Sequence, residues 1–434
     1  MTEKMDVSIF WFRRDLRFYD NCGLFHALKS NYPVIPLFIF DEEILADLPK
    51  NDPRVTFIYE SLEKMNLILG EINSSLLIEK GNIYAIWERL IKQYSIKKVF
   101  YNKDYEPYAR ERDNEITAFL NSKKIDVYSF KDQVIFEENE ILKQDGNAYT
   151  VFTPYKNKWR LQFDIENLEK FNSLSLISKF LKMKFEFPSL NKIGFYKSNV
   201  KVKPINLENI NGYDAARDVP SLETSNASVH LRFGLISIRK LFKTAVQKNQ
   251  VYCDELIWRE FFMQILYHYP KVVHHNFKSK YDFIPWRNKE IEFKLWCVGK
   301  TGYPIVDAGM RQLNKTGYMH NRVRMIVASF LCKHLLIDWR WGEAYFASKL
   351  MDYELSSNNG NWQWIAGTGC DSAPYFRVFN PITQQLKFDP DFEYIKKWIP
   401  DFENYNIKEI VEHKFARLRY LESVKASLQK LSFK

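Results

Sequence analysis

Apolar and polar positions change their period about half-way along the chain. In the first part, short runs of β-branched and aromatic residues recur: VSIFWF (7–12), VIPLFIF (34–40), SLLIEKG (75–81) and IKKVFYN (96–102). Runs this short, apolar rather than alternating, predict strands buried on both faces. Between them, residues 54–72, 82–94 and 107–123 repeat apolar positions at helical spacing. A further strand pair is expected at 125–136. Residues 131–210 are less regular, rich in Asn, Ser and Lys, and read as a connection with short helices. From 211 onward strand signals vanish. ELIWREFFMQILYHY, VDAGMRQLNKTGYMHNRVRMIVASFLCKHLLI and EAYFASKLMDYELSS carry long apolar stripes of helical period, and KEIVEHKFARLRYLESVKASLQKL reads as a basic amphipathic helix.

Strands alternating with helices predict a parallel sheet covered on both faces. The expected architecture is an α/β domain over 1–130, flavodoxin/Rossmann-like, a connection over 131–210, and an all-α domain over 211–434. A length of 434 residues agrees with more than one core. Composition changes the picture in two ways. Aromatics reach 16%, with 11 Trp, which suits large cores and equally suits stacking on a flat ligand. The net charge of +10 favours a polyanionic partner such as nucleic acid. Five scattered cysteines without a C-x-x-C pair predict neither a disulfide framework nor a metal site. The opening MTEKMDVSIFWF lacks a signal-peptide pattern and no apolar run approaches a membrane span, so a soluble cytoplasmic protein is expected.

Three stretches carry candidate chemistry. TSNASVHLRFGLIS (224–237) places hydroxyls before a helix, which suits a phosphate, although an ordinary helix cap explains it without a ligand. Glu255, Trp258, Arg259 and Phe262 stand at i, i+3, i+4 and i+7, so one helix face carries a carboxylate, an indole and a guanidinium. That face is either a core ion pair beside a packed Trp or the wall of a pocket. Arg324 lies on a mostly apolar helix and needs an anionic partner, for which Asp352 is the candidate. Spacing alone does not separate Trp296, Trp339 and Trp341 as packing residues from any other role.

Taken together, WFRRDLRFYDN (11–21), YEPYARERD (105–113), TSNASVHLRFGLIS, ELIWREFF, residues 300–325, DWRWGEAYF (338–346) and NNGNWQWIAGTGCDSAPYFRVFNP (358–381) resemble the photolyase/cryptochrome family. Among its members the chain is most similar to class I cyclobutane pyrimidine dimer photolyases. The resemblance implies FAD in the helical domain and light-driven electron transfer to a pyrimidine dimer in DNA. It assigns Tyr213, Thr224, Ser225, Asn226, Ala227, Ser228 and Tyr252 to the phosphate and ribityl end of FAD. Arg324, Asp352, Tyr353, Glu354 and Asn358 fall beside its ring system. Glu255, Trp258, Asn321, Met325 and Trp364 would line the dimer pocket, and Arg217, Arg259, Arg322, Arg377 and Gln384 would meet the DNA backbone. Trp362, Trp339 and Trp286 match the family's electron relay. Glu106 matches an acidic residue that holds an antenna folate in some members, so methenyltetrahydrofolate or a flavin is the expected second chromophore, if there is one. The rival reading is a cryptochrome-type light sensor. Against (6–4) repair, Asn321 and Met325 stand where that branch carries histidines. A monomer is expected.

Overall fold

The computed structural model describes residues 4–432. Five strands form one parallel sheet: β1 (Asp6–Phe12), β2 (Val34–Asp41), β3 (Leu77–Gly81), β4 (Ser95–Asn102) and β5 (Asp126–Phe130), in the order β3-β2-β1-β4-β5. Every residue of β2 and all but the first of β1 are buried. This is why those runs are apolar without alternation. Registers such as Ile9↔Ile35 and Val99↔Val127 set like against like. Helices Pro53–Gly70, Ile83–Gln93 and Pro107–Ser122 lie where the spacing put them, and each begins at a capping Asp or Asn or at a proline. Only one strand, not a pair, occupies 125–136. After Phe130 the chain turns away, and Asp132 is drawn into an ion pair with Arg17 at 2.6 Å instead of into a ladder.

The chain forms two compact units. One holds the sheet and comprises the residues up to Glu137 with Phe163–Pro204 and Ala227–Gln247. The other comprises Glu138–Gln162, Ile205–Asn226 and the chain from Lys248 onward. The stretch expected as a connection, 131–210, is thus divided between them.

The second unit is helical, with a core around Trp296, Tyr303, Phe330, Trp339 and Trp362. The long apolar stripes are broken more often than their period suggested. Gly317, at φ +65, ends the Pro304–Thr316 helix, and His320 caps the Asn321–Ser329 helix that follows. The pattern EAYFASKLMDYELSS does not run as one helix. The Trp339–Lys349 helix stops where Leu350 turns extended and the Met351 N–H donates to the Gly317 carbonyl at 2.8 Å. Asp352, Tyr353 and Glu354 therefore sit in a break, and a new helix runs from Leu355 to Ala366.

Candidate active site: a cavity in the helical unit

A cavity of about 390 Å³ opens among the helices of the second unit. The Gln250–His268 helix contributes Glu255, Trp258, Arg259 and Phe262, the face expected from their spacing. Asn321, Arg322, Arg324 and Met325 enter from the Asn321–Ser329 helix. The break supplies Asp352, Tyr353 and Glu354, and the Leu355–Ala366 helix supplies Asn358, Trp362 and Trp364. Arg217 reaches in from the preceding connection.

Charges on this wall are paired. Arg324 Nη2 donates to Asp352 Oδ2 at 2.8 Å, the partnership that burial demanded. Arg217 meets Glu255 at 2.8 Å, Arg322 meets Asp218 at 2.6 Å and Arg259 meets Glu354 at 3.2 Å. Burial raises the Glu255 carboxyl above its ordinary value, opposed by the Arg217 guanidinium. His320 is pushed down to about 4 by burial and then by Arg324, so it is neutral. Asn358 is buried, and its amide donates to the Glu343 carbonyl at 3.1 Å.

Trp258 is backed by Phe152, the ring centroids 3.6 Å apart and nearly parallel. Trp362 is 2% exposed and meets Phe346 and Trp296 edge-on at 5.0 and 6.3 Å. Two glycines make this packing possible. A Cβ on Gly360 would overlap the Phe262 ring, and one on Gly342 would overlap the Trp362 indole.

Other expected residues lie off the cavity wall. Tyr213 and Tyr252 meet edge-on at 5.0 Å, the Tyr252 hydroxyl is 2.9 Å from Ser225 Oγ, and Thr224 Oγ1 is 3.1 Å from the Tyr318 hydroxyl. Asn226 follows at φ +54. Ala227 and Ser228 open a short helix that groups with the sheet unit. Trp339 is fully buried, its indole donating to Asn276 at 2.9 Å, and Trp286 is half-buried. Arg377 is exposed on the loop before the Pro381–Phe388 helix, which carries Gln384. In the sheet unit, Glu106 is engaged by Arg14 at 3.1 Å and Arg232 at 3.5 Å.

Two family models match parts of the chain: DNA photolyase over residues 8–173 and the FAD binding domain of DNA photolyase over 252–430. The chain belongs to the DNA photolyase family. Its relatives include the deoxyribodipyrimidine photo-lyases of Synechococcus sp., 36% identical over 93% of this chain and 90% of that protein, and of Escherichia coli, 35% identical over 98% and 99%. Among solved structures, a bacterial class III photolyase from Agrobacterium tumefaciens matches with a TM-score of 0.83 at 31% identity, covering 99% of both chains. An archaeal photolyase from Sulfolobus tokodaii with two FAD molecules matches at 0.81 and 33%, covering 98% of this chain and all of that one. A Synechocystis cryptochrome also matches at 0.81, with 25% identity and coverage of 99% and 100%. The structural likeness thus runs across photolyases of more than one kind.

The photolyase FAD-binding domain spans the cavity, and the residues present fit a flavin. Asp352 Oδ1 and Glu343 Oε1 are buried carboxylate oxygens without a hydrogen-bond partner among the described residues. Such atoms are costly unless a donor arrives, and a flavin's ring N–H groups are donors. Glu343 escaped the sequence reading although burial pushes its carboxyl up to about 7. Nothing in WGEAYF separates it from a surface acid. Tyr318 and Phe152 were missed as well. Each joins the site through a contact across more than 90 positions of chain, which spacing on one helix does not reveal. Among the described residues no helix is long and apolar enough to cross a membrane.

Proposed function

We propose that this protein is a light-driven lyase that splits cyclobutane pyrimidine dimers in DNA with FAD as cofactor. One observation carries the reading. A single cavity is walled on one part by Glu255, Trp258, Asn321, Met325 and Trp364, and on another by the Arg324–Asp352 pair, Asn358 and Trp362. A flipped dimer with two pyrimidine faces and polar carbonyl edges suits the first group, and a flavin ring suits the second. Photolyases are already known to flip their target nucleotide out of the helix.

Arg324, Asp352, Tyr353, Glu354 and Asn358 would hold the ring end of FAD, and Tyr213, Thr224, Ser225, Asn226 and Tyr252 would serve its phosphate and ribityl end. When bound in its reduced form, FAD would supply light-driven one-electron chemistry to the dimer with no net redox change. The chain does the rest. Trp258, held in plane by Phe152, and Trp364 stack on the two pyrimidines. As the two cyclobutane C–C bonds break, negative charge builds on the pyrimidine carbonyls. Glu255, its carboxyl raised by burial and held by Arg217 at 2.8 Å, forms the hydrogen bond that orients that edge. Arg217, Arg259, Arg322, Arg377 and Gln384 meet the phosphate backbone, consistent with the net charge of +10. Trp362, Trp339 and Trp286 relay electrons inward from the surface. Glu106 is the candidate antenna contact, for methenyltetrahydrofolate or a flavin, and would have to exchange its arginine partners to serve it. We read the protein as a cytoplasmic monomer acting on DNA.

The likeness to a cryptochrome supports a second reading, a blue-light receptor. One experiment separates the two. The flavin-loaded protein is photoreduced and illuminated with an oligonucleotide carrying a thymine dimer, against a dark control. Recovery of thymine absorbance in the light alone is expected. Glu255→Ala should lower the repair quantum yield about tenfold, the effect of roughly one charge-assisted hydrogen bond, with dark DNA affinity changed less. Photoreduction without repair, on single- and double-stranded substrates, would leave the receptor reading standing.

A further inference from the structure

The segment between the Leu355–Ala366 and Pro381–Phe388 helices, residues 367–380, turns outward at Phe376, which is 60% exposed, and at Arg377. It has no regular secondary structure, yet several hydrogen bonds tie it to the helices around it. Asp371, in a left-handed conformation at φ +28, accepts the Phe152 backbone N–H at 3.0 Å. Lys278 Nζ donates to Ser372 Oγ at 2.8 Å, and Lys333 Nζ donates to the Arg377 carbonyl at 2.8 Å.

Lys333 is the unusual member. It is 2% exposed and sits in a π-helical turn, Phe330–His334, between Phe330, Leu331 and Cys332 of the apolar core. Among the described residues its ammonium meets no carboxylate; its company is the Arg377 carbonyl and the Tyr420 ring at 5.8 Å. A lysine is almost never buried this far without an ionic partner. Packing alone would be served better by Met or Leu. What an apolar side chain there lacks is a charged donor aimed at one carbonyl of an exposed loop.

We propose that Lys333 is a positioning residue for DNA binding: by holding the Arg377 carbonyl, with Lys278 holding Ser372, it fixes the loop that presents Arg377 and Phe376 to the duplex. This rests on the reading that Arg377 meets DNA. A preorganised loop gives up less conformational entropy on binding.

The site also has a pH signature. The groups facing Lys333 are Arg377 from the loop, Tyr420 from the His413–Ser432 helix, and Cys332 and His334 on its own turn. Burial raises the thiol and the phenol, and pushes His334 down to about 3. Lys333 itself is lowered to about 8 by burial. Between pH 7 and 9.5 it is therefore the member of this group that titrates. Its lowered value means the charged form burdens the fold, so folding stability rises as pH climbs through about 8. The tie, which draws on the charge, weakens over the same window. DNA affinity and stability should move in opposite directions.

The test is dark binding of a fluorescent duplex bearing one thymine dimer, by anisotropy from pH 7 to 9.5 at fixed salt, beside thermal melts and flavin content of the same holoprotein. Wild type should lose affinity severalfold across the range while its melting temperature holds or rises. Lys333→Met should bind about tenfold more weakly at pH 7.5, the effect of one charge-assisted hydrogen bond, with flavin retained and no further loss to pH 9.5. Lys333→Arg should restore binding and remove the pH dependence. If Arg377→Ala weakens binding while Lys333→Met matches wild type in affinity and pH profile, Lys333 is structural and the proposal is overturned. If Arg377→Ala leaves affinity unchanged, the DNA reading of this loop falls and the proposal falls with it. Should Lys333→Met fail to fold, Lys278→Gln carries the test, and an unchanged affinity there overturns the clamp.

Discussion

Both units bury charge, and they do so in opposite ways. In the sheet unit, Asp132 lies at the centre of an ion-pair network that leaves none of its own acceptors open, although Arg17 Nε finds no partner among the described residues. Its Oδ2 accepts Arg17 at 2.6 Å, while its Oδ1 accepts Arg239 at 2.8 Å and the Cys22 N–H at 3.2 Å; Arg239 then reaches Asp20 at 3.1 Å. Both carboxylate oxygens are used, and the arginines hold Asp132 below the ordinary carboxylate range despite its burial. In the helical unit, Arg324 and Asp352 form an equally short pair, but among the described residues Asp352 Oδ1, on the cavity wall, has no hydrogen-bond partner, nor has Glu343 Oε1, which lies off that wall. A carboxylate with every oxygen taken by the chain is architecture. One that leaves acceptors open beside a cavity is built for something that brings its own donors.

The harshest way to break that contrast is to remove the hub. Asp132→Ala leaves Arg17 and Arg239 buried without their shared carboxylate and should destabilise the protein by about 3–5 kcal/mol, as for other broken buried pairs. Thermal melts check the size, and flavin absorbance of the protein still folded at 25 °C checks the contrast. Flavin stoichiometry should not change. Loss of flavin from folded protein would mean that the sheet unit's network is not architecture alone.

A smaller effect sharpens the other side. Glu343, raised to about 7 by burial, holds a proton in the fold that the unfolded chain releases at ordinary carboxylate pH. Its contribution is therefore complete below about pH 4.5 and is lost as pH rises through about 7. The full swing is roughly 3.5 kcal/mol at the conversion of about 1.4 kcal/mol per pKa unit. Wild-type stability should fall between pH 5 and 8 by up to that amount, and Glu343→Gln should flatten the dependence. A variant that follows the wild-type profile would remove Glu343 from the open network.

Much of this was legible before any coordinates. The strands and the three helices of the sheet unit were readable because one short-range rule, the period of burial, governs each. The Glu255–Phe262 face was readable for the same reason, and Arg324–Asp352 because a buried arginine must find a carboxylate. The breaks were harder. EAYFASKLMDYELSS keeps helical period through Asp352, and only the Met351 contact with the Gly317 carbonyl, 34 positions earlier in the chain, stops the helix there. Glu343, Phe152 and Tyr318 were illegible because their significance lies in what comes near them. The roles of Trp362, Trp339 and Trp286 came from resemblance, not from periodicity. The structure packs Trp362 against Trp296 as well, an indole that spacing had left among core candidates.

The mildest test lies where the two walls of the cavity meet. Trp362 and Trp364 are two residues apart on one helix, so their side chains leave its axis in widely different directions, and both border the same space. Trp362 is core on three sides, against Phe346, Trp296 and Gly342; Trp364 is half-buried at the edge of the same core and makes no aromatic ring contact among the described residues. Trp364→Phe should therefore leave the melting temperature almost unchanged. It should weaken dark binding of dimer-containing DNA by about two- to tenfold, the worth of roughly 0.5–1.5 kcal/mol of aromatic stacking, with binding of undamaged DNA unaffected. Equal weakening on damaged and undamaged DNA would move Trp364 from the lesion to the general DNA surface. A fall in stability matching that of a core tryptophan would show that the cavity wall and the core are one packing unit at this point.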